Sequence, residues 1–434
     1  MRCAGGLAVL IWAACLSLAL AGNWPQWRGP EGTGTSREQG LPLVWNESRN
    51  LLWKVPIPEW GNSTPAVWQD AVFLTAQQGR QLLLLRYSKQ DGSLVWRQRV
   101  GTAKVPRGKP RRGAQTFHEL HNLASPSPVT DGERVIVHFG NGELAAYDMQ
   151  GAELWRHNLQ QEHGPFTIWW GHAASPVIVG NVVIVAVMQD SLADLPEHAQ
   201  RPAPSYLVAY DKRHGRQKWK TLRMTAAQAE ECDAYTTPLL CRGADRWELV
   251  VMGANQLDAY DPATGEQLWY LPGLRGGRTV CGPTFADGMI YATRGMRGDL
   301  FGVSLGSEQK GERSPREIAW SQSDATPDSC SPVVWGDLIF TITDQGVAKC
   351  YDRHSGRMRW KQRLAGEFKA SPLAAEGRVY FLSTAGDCYV VAADDKYRLL
   401  AKSQLDDTFV ASLAASDGLL LARGRKHLYC LGKR

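Results

Sequence analysis

Ser127-Pro128-Val129, Asp131-Gly132, Val135-Ile136-Val137, Gly142, Ala146-Tyr147-Asp148, Gly151, Trp155: read end to end, this stretch is one complete unit of sheet. The proline opens a strand where the ladder needs no amide donor. An alternating apolar run follows, with glycine turns between its strands. Ala-Tyr-Asp then leads into Asp-x-x-Gly, in which the aspartate bonds its own backbone and the glycine takes a positive φ. A tryptophan closes the unit.

The unit recurs along the chain, which decides the fold before any single element is read. Ser175-Pro176-Val177 leads to Ala209-Tyr210-Asp211, Gly215 and Trp219; Thr237-Pro238 leads to Ala259-Tyr260-Asp261, Gly265 and Trp269. Ser331-Pro332-Val333 leads to Cys350-Tyr351-Asp352, Gly356 and Trp360. Looser copies run from Thr64-Pro65 to Trp96 and from Gly282-Pro283 to Trp320. Two more are degraded. Ser371-Pro372 opens one that has Ala401 where tryptophan is expected, and Ser412-Leu413 opens an eighth that stops at Cys430-Leu431 without a closing strand. Leu51-Leu52-Trp53-Lys54, near the other end, looks like a closing strand with nothing before it. The pattern predicts an all-β, eight-bladed β-propeller of four-stranded blades, closed by the N-terminal strand pairing with the C-terminal blade. Such closure removes the free edges that invite aggregation. The recurring Trp53, Trp96, Trp155, Trp219, Trp269, Trp320 and Trp360 are expected to pack between neighbouring sheets.

Composition fits this. Eight units in 434 residues come to roughly 50 residues each, within the propeller range. The hydrophobic content of 44% excludes wholesale disorder, and the 17 tryptophans outnumber 13 tyrosines and 10 phenylalanines. The net charge of +6 is spread along the chain, so no basic stripe for nucleic acid is present. Residues 1–21 read as a signal peptide: Arg2, an apolar run over residues 5–20, and Ala19-Leu20-Ala21 before Gly22. A lipoprotein reading at Ala13-Ala14-Cys15 is the alternative. Residues 22–434 are then a single propeller domain, exported to the periplasm or the outside, without a transmembrane span. Seven cysteines follow the leader, without a Cys-x-x-Cys pair. Cys232 and Cys241 are the pair most suited to a bridge, whereas Cys350, Cys388 and Cys430 occupy apolar strand positions and read as small buried hydrophobes.

Residues just before the Ser-Pro strand starts should gather at one mouth of the central channel. They are His118, Glu119 and His121; Trp169, Trp170 and His172; Glu230, Glu231, Asp233 and Tyr235; Arg278; Asp328; Lys369; and Asp407. This polar, partly aromatic ring is the candidate ligand pocket. His118, His121, His172 and Glu231 are of metal-ligating type, but rim histidines more often only hydrogen-bond, so no metal is assigned. Trp169-Trp170 would suit stacking on a planar ligand, or simple rim packing. Glu230, Glu231 and Asp233 would serve acid/base chemistry, or only solvate a loop. No catalytic residue is assigned. Insertions at residues 97–124, 189–205 and 221–235 should collect on one face, where repeat proteins often bind. The aromatic arm Trp24-Pro25-Gln26-Trp27-Arg28-Gly29-Pro30 is expected to pack on the propeller rim.

The Ala-Tyr-Asp…Gly-x-x-x-Trp units at Ala146 to Trp155, Ala209 to Trp219 and Ala259 to Trp269, with two residues between Asp and Gly in the first and three in the others, resemble the tryptophan-docking motif of the pyrroloquinoline-quinone-type (PQQ-like) propeller family. The resemblance spans residues 24–431. It implies one of two branches: quinoprotein dehydrogenases, which hold PQQ and calcium over the axis, or non-enzymatic BamB-like scaffolds. The quinoprotein branch carries adjacent cysteines against its cofactor; here no two cysteines are adjacent. The expectation is therefore a non-catalytic binding or scaffold propeller without cofactor, whose partner is another protein or an extracytoplasmic polymer. A PQQ-dependent oxidoreductase and a carbohydrate-binding propeller are the alternatives.

Overall fold

A computed structural model describes residues 22–103, 119–190, 204–243, 245–296, 298–305, 310–324 and 326–433. Eight sheets form a ring. The first blade is Ala66–Trp68, Ala71–Gln78, Gln81–Ser88 and Leu94–Thr102. The following six repeat the order inner strand, two middle strands, outer strand. The eighth takes Ala414–Ser416, Leu419–Arg423 and His427–Leu431 from the C-terminus and Leu51–Pro56 from the N-terminus. Leu51–Pro56 pairs antiparallel with His427–Leu431, and Trp53 stands opposite Cys430. The ring is closed as the orphan strand predicted.

The repeat chemistry explains the seams between blades. A bulge between the third and fourth strands recurs in all eight blades and sets the closing residue opposite a small side chain in several of them: Ala146 faces Trp155, Ala209 faces Trp219, Gly302 faces Trp320, Cys350 faces Trp360. Each indole then reaches over the turn of the next blade. Trp96 donates to Met149 O, Trp155 to Lys212 O, Trp219 to Pro262 O, Trp320 to Arg353 O, Trp360 to Asp394 O, and Trp53 to Lys89 O. The glycine of this Asp…Gly turn lies beneath the ring. At Gly215 (φ 69°) a Cβ would come within 2.8 Å of Trp155, and at Gly265 (φ 76°) within 2.4 Å of Trp219. Glycine is required there twice over, for its φ and for the indole.

Two seams depart, and each time the receiving turn is missing. Blade five joins its last two strands through a long connection instead of an Asp…Gly turn. Trp269 therefore turns to its own sheet: it donates to Glu248 Oε2 at 2.8 Å, Arg313 lies 4.7 Å over its ring, and the short strand Gly311–Glu312 adds in parallel beside it. The expectation that Trp269 docks like the others is corrected. At the seam from blade seven to blade eight, the receiving corner is the junction of the two chain ends, where Gly432 N–H bonds Asn50 O. No turn exists there for an indole, and Ala401 occupies the position.

The N-terminal arm does not lie on the rim. Trp24 exchanges both backbone bonds with Val67 of blade one, Pro25 O accepts from Thr130 of blade two, and Gly34 and Ser36 bond Ala374 of blade seven. Buried Arg28 donates to the carbonyls of Thr33, Pro283 and Pro332. The arm thus crosses the axis and closes one end of the channel, which we call the base. The Asp…Gly turns between the third and fourth strands lie at the same end. The Ser-Pro starts, the blade-to-blade connections and the sites of all three insertions lie at the other end, the mouth. Residues 104–118 and 191–203 of those insertions fall outside the described residues.

All seven cysteines among the described residues are buried free thiols. The bridge expected between Cys232 and Cys241 is not formed: Cys241 belongs to the inner strand Leu239–Arg242, its thiol directed at Leu239 O, while Cys232 ends a one-turn 3-10 helix on the mouth side. Cys350, Cys388 and Cys430 are fully buried in strands, as expected. Among the described residues no helix is long and apolar enough to cross a membrane.

Candidate functional site

Seven of the eight blades place a hydroxyl residue just before the inner strand, and these hydroxyls link around the axis. Thr64 N–H donates to Ser127 Oγ (2.9 Å), Ser127 N–H to Ser175 Oγ (2.9 Å), and Ser175 N–H to Thr237 Oγ1 (3.0 Å). After the gap at Gly282, whose own N–H donates to Ser331 Oγ, the chain runs on through Ser371 to Ser412. Above this ring lies a cavity of about 380 Å³, open at the mouth. Its volume is in the range of small-ligand pockets.

Six of the residues expected at the mouth line this cavity: His121, Trp170, Tyr235, Arg278, Asp328 and Lys369. Trp27 of the arm lines it from below and also lines a second hollow of about 350 Å³ on the base side. Its indole is the partition, so the channel is a pit with one opening.

The charged groups of the pit are held in pairs. Arg278 Nη2 donates to Asp328 Oδ2 at 3.2 Å, with exposed Glu230 3.8 Å from Nη1. Lys369 Nζ donates to Asp344 Oδ2 at 2.5 Å, and Ser329 donates to the same carboxylate through N–H and Oγ. Burial pulls the Lys369 ammonium down, but Asp344 outweighs it and holds it above the ordinary lysine range. Burial pushes the Tyr235 phenol well above its usual range, so it stays protonated. His121 Nδ1 is 2.5 Å from Ser125 Oγ.

The other expected mouth residues are placed elsewhere, for local reasons. His172 is buried, its Nε2 2.9 Å from Ala186 O and its ring 4.7 Å from that of His138; burial lowers its pKa to about 4. Asp233 is fully buried and accepts the Trp169 N–H at 3.0 Å, which makes it a brace for that loop. Trp169 is not in the cavity wall. Glu231 accepts from the Asn255 amide at 2.7 Å. Asp407 turns inward, its carboxylate accepting from Thr408, Arg425, Lys426 and His427 amides. Glu119 is exposed, and His118 lies outside the described residues. The set His121, His172 and Glu231 is thus dispersed, and among the described residues no three His, Cys, Asp or Glu side chains gather as metal ligands.

Three features escaped the sequence reading. The hydroxyl ring was visible as Ser or Thr before proline in six copies, but was read only as a strand start. Asp344 sits in an ordinary Asp-Gln-Gly turn. Trp27 reaches the axis from sequence far removed from the inner strands.

With this geometry in hand, relatives can be compared. The family model described as outer membrane protein assembly factor BamB matches residues 32–201, 203–309 and 312–418. The chain belongs to the BamB family. The structure of BamB from Moraxella catarrhalis is similar with a TM-score of 0.60 at 14% identity, covering 88% of this chain and 97% of that one. Two enzymes share the fold as well. Quinohemoprotein alcohol dehydrogenase from Comamonas testosteroni has a TM-score of 0.69 at 12% identity, covering 96% of this chain and 81% of that one. A europium-containing methanol dehydrogenase has a TM-score of 0.66 at 11% identity, covering 94% and 89%. No curated protein matches at the level of sequence. At these identities the likeness of this BamB-family chain to solved structures is one of fold, and fold does not carry function.

Proposed function

We propose that this BamB-family propeller is an exported, non-catalytic binding protein that receives a protein partner at its mouth face. The observation that carries the reading is the pairing of the pit's charges. Asp328 is committed to Arg278 and Asp344 to Lys369, and Tyr235 is held protonated. Such groups recognise and orient, whereas a catalytic base or nucleophile needs a group free to change its proton. The base is occupied by the arm, so the mouth and its insertions form the face available to a partner.

The quinoprotein alternative rests on the two dehydrogenase neighbours. The donor set suits it poorly: the carboxylates nearest the pit already face cations, and the sequence lacks adjacent cysteines. Two measurements test the reading together. Photo-crosslinking in cells from position 170 should capture a defined protein, whereas position 247, half-exposed on the base side, should not. Titration of the purified protein with PQQ and calcium should show no heat and no change in tryptophan fluorescence. Saturable quinone binding with calcium-dependent alcohol oxidation would overturn the proposal, as would equal crosslinking from both faces.

A further inference from the structure

The hydroxyl ring has an unused half. Ser127, Ser175, Thr237, Ser371 and Ser412 each accept a backbone N–H through their oxygen, and none of these hydroxyls donates to a described residue. The Thr64 hydroxyl makes no bond to any described residue. All six residues line the cavity and are nine-tenths buried or more. An oxygen that accepts an N–H becomes a better O–H donor. The floor of the pit is therefore a circle of converging donors with no acceptor assigned to them.

Charge supplies a second, independent observation. Two buried guanidiniums flank the ring without any ion pair to a described residue. Arg28 binds the carbonyls of Pro283 and Pro332, each next to a ring position, and its Nε has no partner. Arg423 binds Ser63, beside Thr64, and its Nε and Nη2 have no partner. Burial lowers Arg28 to about 10 and Arg423 to about 9, and both remain charged at neutral pH. The other cations facing the pit are paired, Arg278 with Asp328 and the exposed Glu230, and Lys369 with Asp344. Neither guanidinium lines the cavity, but each stands directly behind the ring as a buried cation without a described carboxylate partner, an arrangement costly without an anion nearby.

We propose that the axial pit is an oxyanion receptor, in which the hydroxyls of Thr64, Ser127, Ser175, Thr237, Ser371 and Ser412 donate to a carboxylate or a tetrahedral oxyanion held on the propeller axis. The inference rests on the mouth being the recognition face and adds the chemistry that would be recognised there. Trp27 below and Trp170 beside the pit make intrinsic fluorescence a direct reporter.

The test is calorimetry and tryptophan fluorescence with acetate, citrate, inorganic phosphate and sulfate, with chloride at matched ionic strength and glycerol as controls. Saturable one-to-one binding of at least one oxyanion, absent for glycerol and chloride, is expected. Preference for acetate and citrate would assign a carboxylate, and preference for phosphate and sulfate a tetrahedral group. Thr64→Val removes a donor without removing any internal bond. It should weaken binding about tenfold, as loss of a hydrogen bond to a charged group does, with an unchanged melting temperature. Should that variant not fold, wild-type melting temperature is the second readout: the bound oxyanion should raise it above the chloride value. No saturable binding at millimolar concentration, or full affinity in Thr64→Val, would overturn the receptor. If crosslinks at position 170 persist without anion binding, only this inference fails. If those crosslinks are lost, the mouth-face reading fails with it.

Discussion

The two faces of the propeller are built by different rules. The base is made from the repeat itself: Asp…Gly turns, an indole over each glycine, and an arm stitched across the axis by backbone bonds. The mouth is made from residues that differ in every blade, among them His121, Trp170, Tyr235, Arg278 and Lys369, over a ring of hydroxyls that does repeat. A repeat array that must close spends its regular positions on the seams. Its irregular positions are then free to vary, and they converge at one end because every blade-to-blade connection returns there.

Substitutions should separate these faces. The largest effect is expected at a docked indole. Trp155→Ala removes a ring that donates to Lys212 and packs on Gly215, and should destabilise by about 3–5 kcal/mol. Trp170→Ala at the mouth should cost less than about 1 kcal/mol. Denaturant melts of both variants check this, and equal costs would break the distinction.

The pH dependence should come next. His172 and His138 are both depressed by burial, His172 to about 4. The unfolded chain protonates them near 6.5, but the native state does not. Stability is therefore full above pH 6.5 and falls as the pH drops towards 4, by about 3 kcal/mol for His172 alone. His172→Gln should flatten the melting curve between pH 7 and 4.5; an unchanged slope would show that the histidine is not held neutral.

A glycine pair sharpens the account of the seams. Gly215→Ala forces a Cβ against Trp155, whereas Gly180→Ala has positive φ but open space. The first should cost about 2–3 kcal/mol and the second about 1 kcal/mol. Equal losses would mean that φ alone demands glycine.

The smallest effect is expected where the receiving turn is missing. Ala401→Trp should leave stability within about 0.5 kcal/mol of wild type or lower it. A clear gain by calorimetry would show that the indole needs no turn to dock on.

Much of this was legible. Trp53 without preceding strands, and Cys430 without a following one, announced the closure of the ring. The repeated Ser-Pro starts placed His121, Trp170, Tyr235, Arg278, Asp328 and Lys369 near one mouth. His172, Asp233 and Asp407 were misplaced because position along a connection does not say which way a side chain turns. His172 was drawn inward by the Ala186 carbonyl and the His138 ring. Asp407 was drawn inward by four backbone amides that needed an acceptor.

What the sequence determined by itself is the number of blades, the turn chemistry, the closing strand and the identity of six of the seven docked tryptophans, Trp269 excepted, because each depends on residues a few positions apart repeated at a fixed interval. Only the tertiary structure decided the rest: that Trp269 docks on its own sheet, that Trp27 closes the channel into a pit, that Asp344 neutralises Lys369, and that Arg28 and Arg423 stand uncompensated beside the hydroxyl ring. Those contacts join residues from 21 to 360 positions apart that share no repeat position. They arise from which groups are left unsatisfied when the ring closes, and no local pattern encodes that.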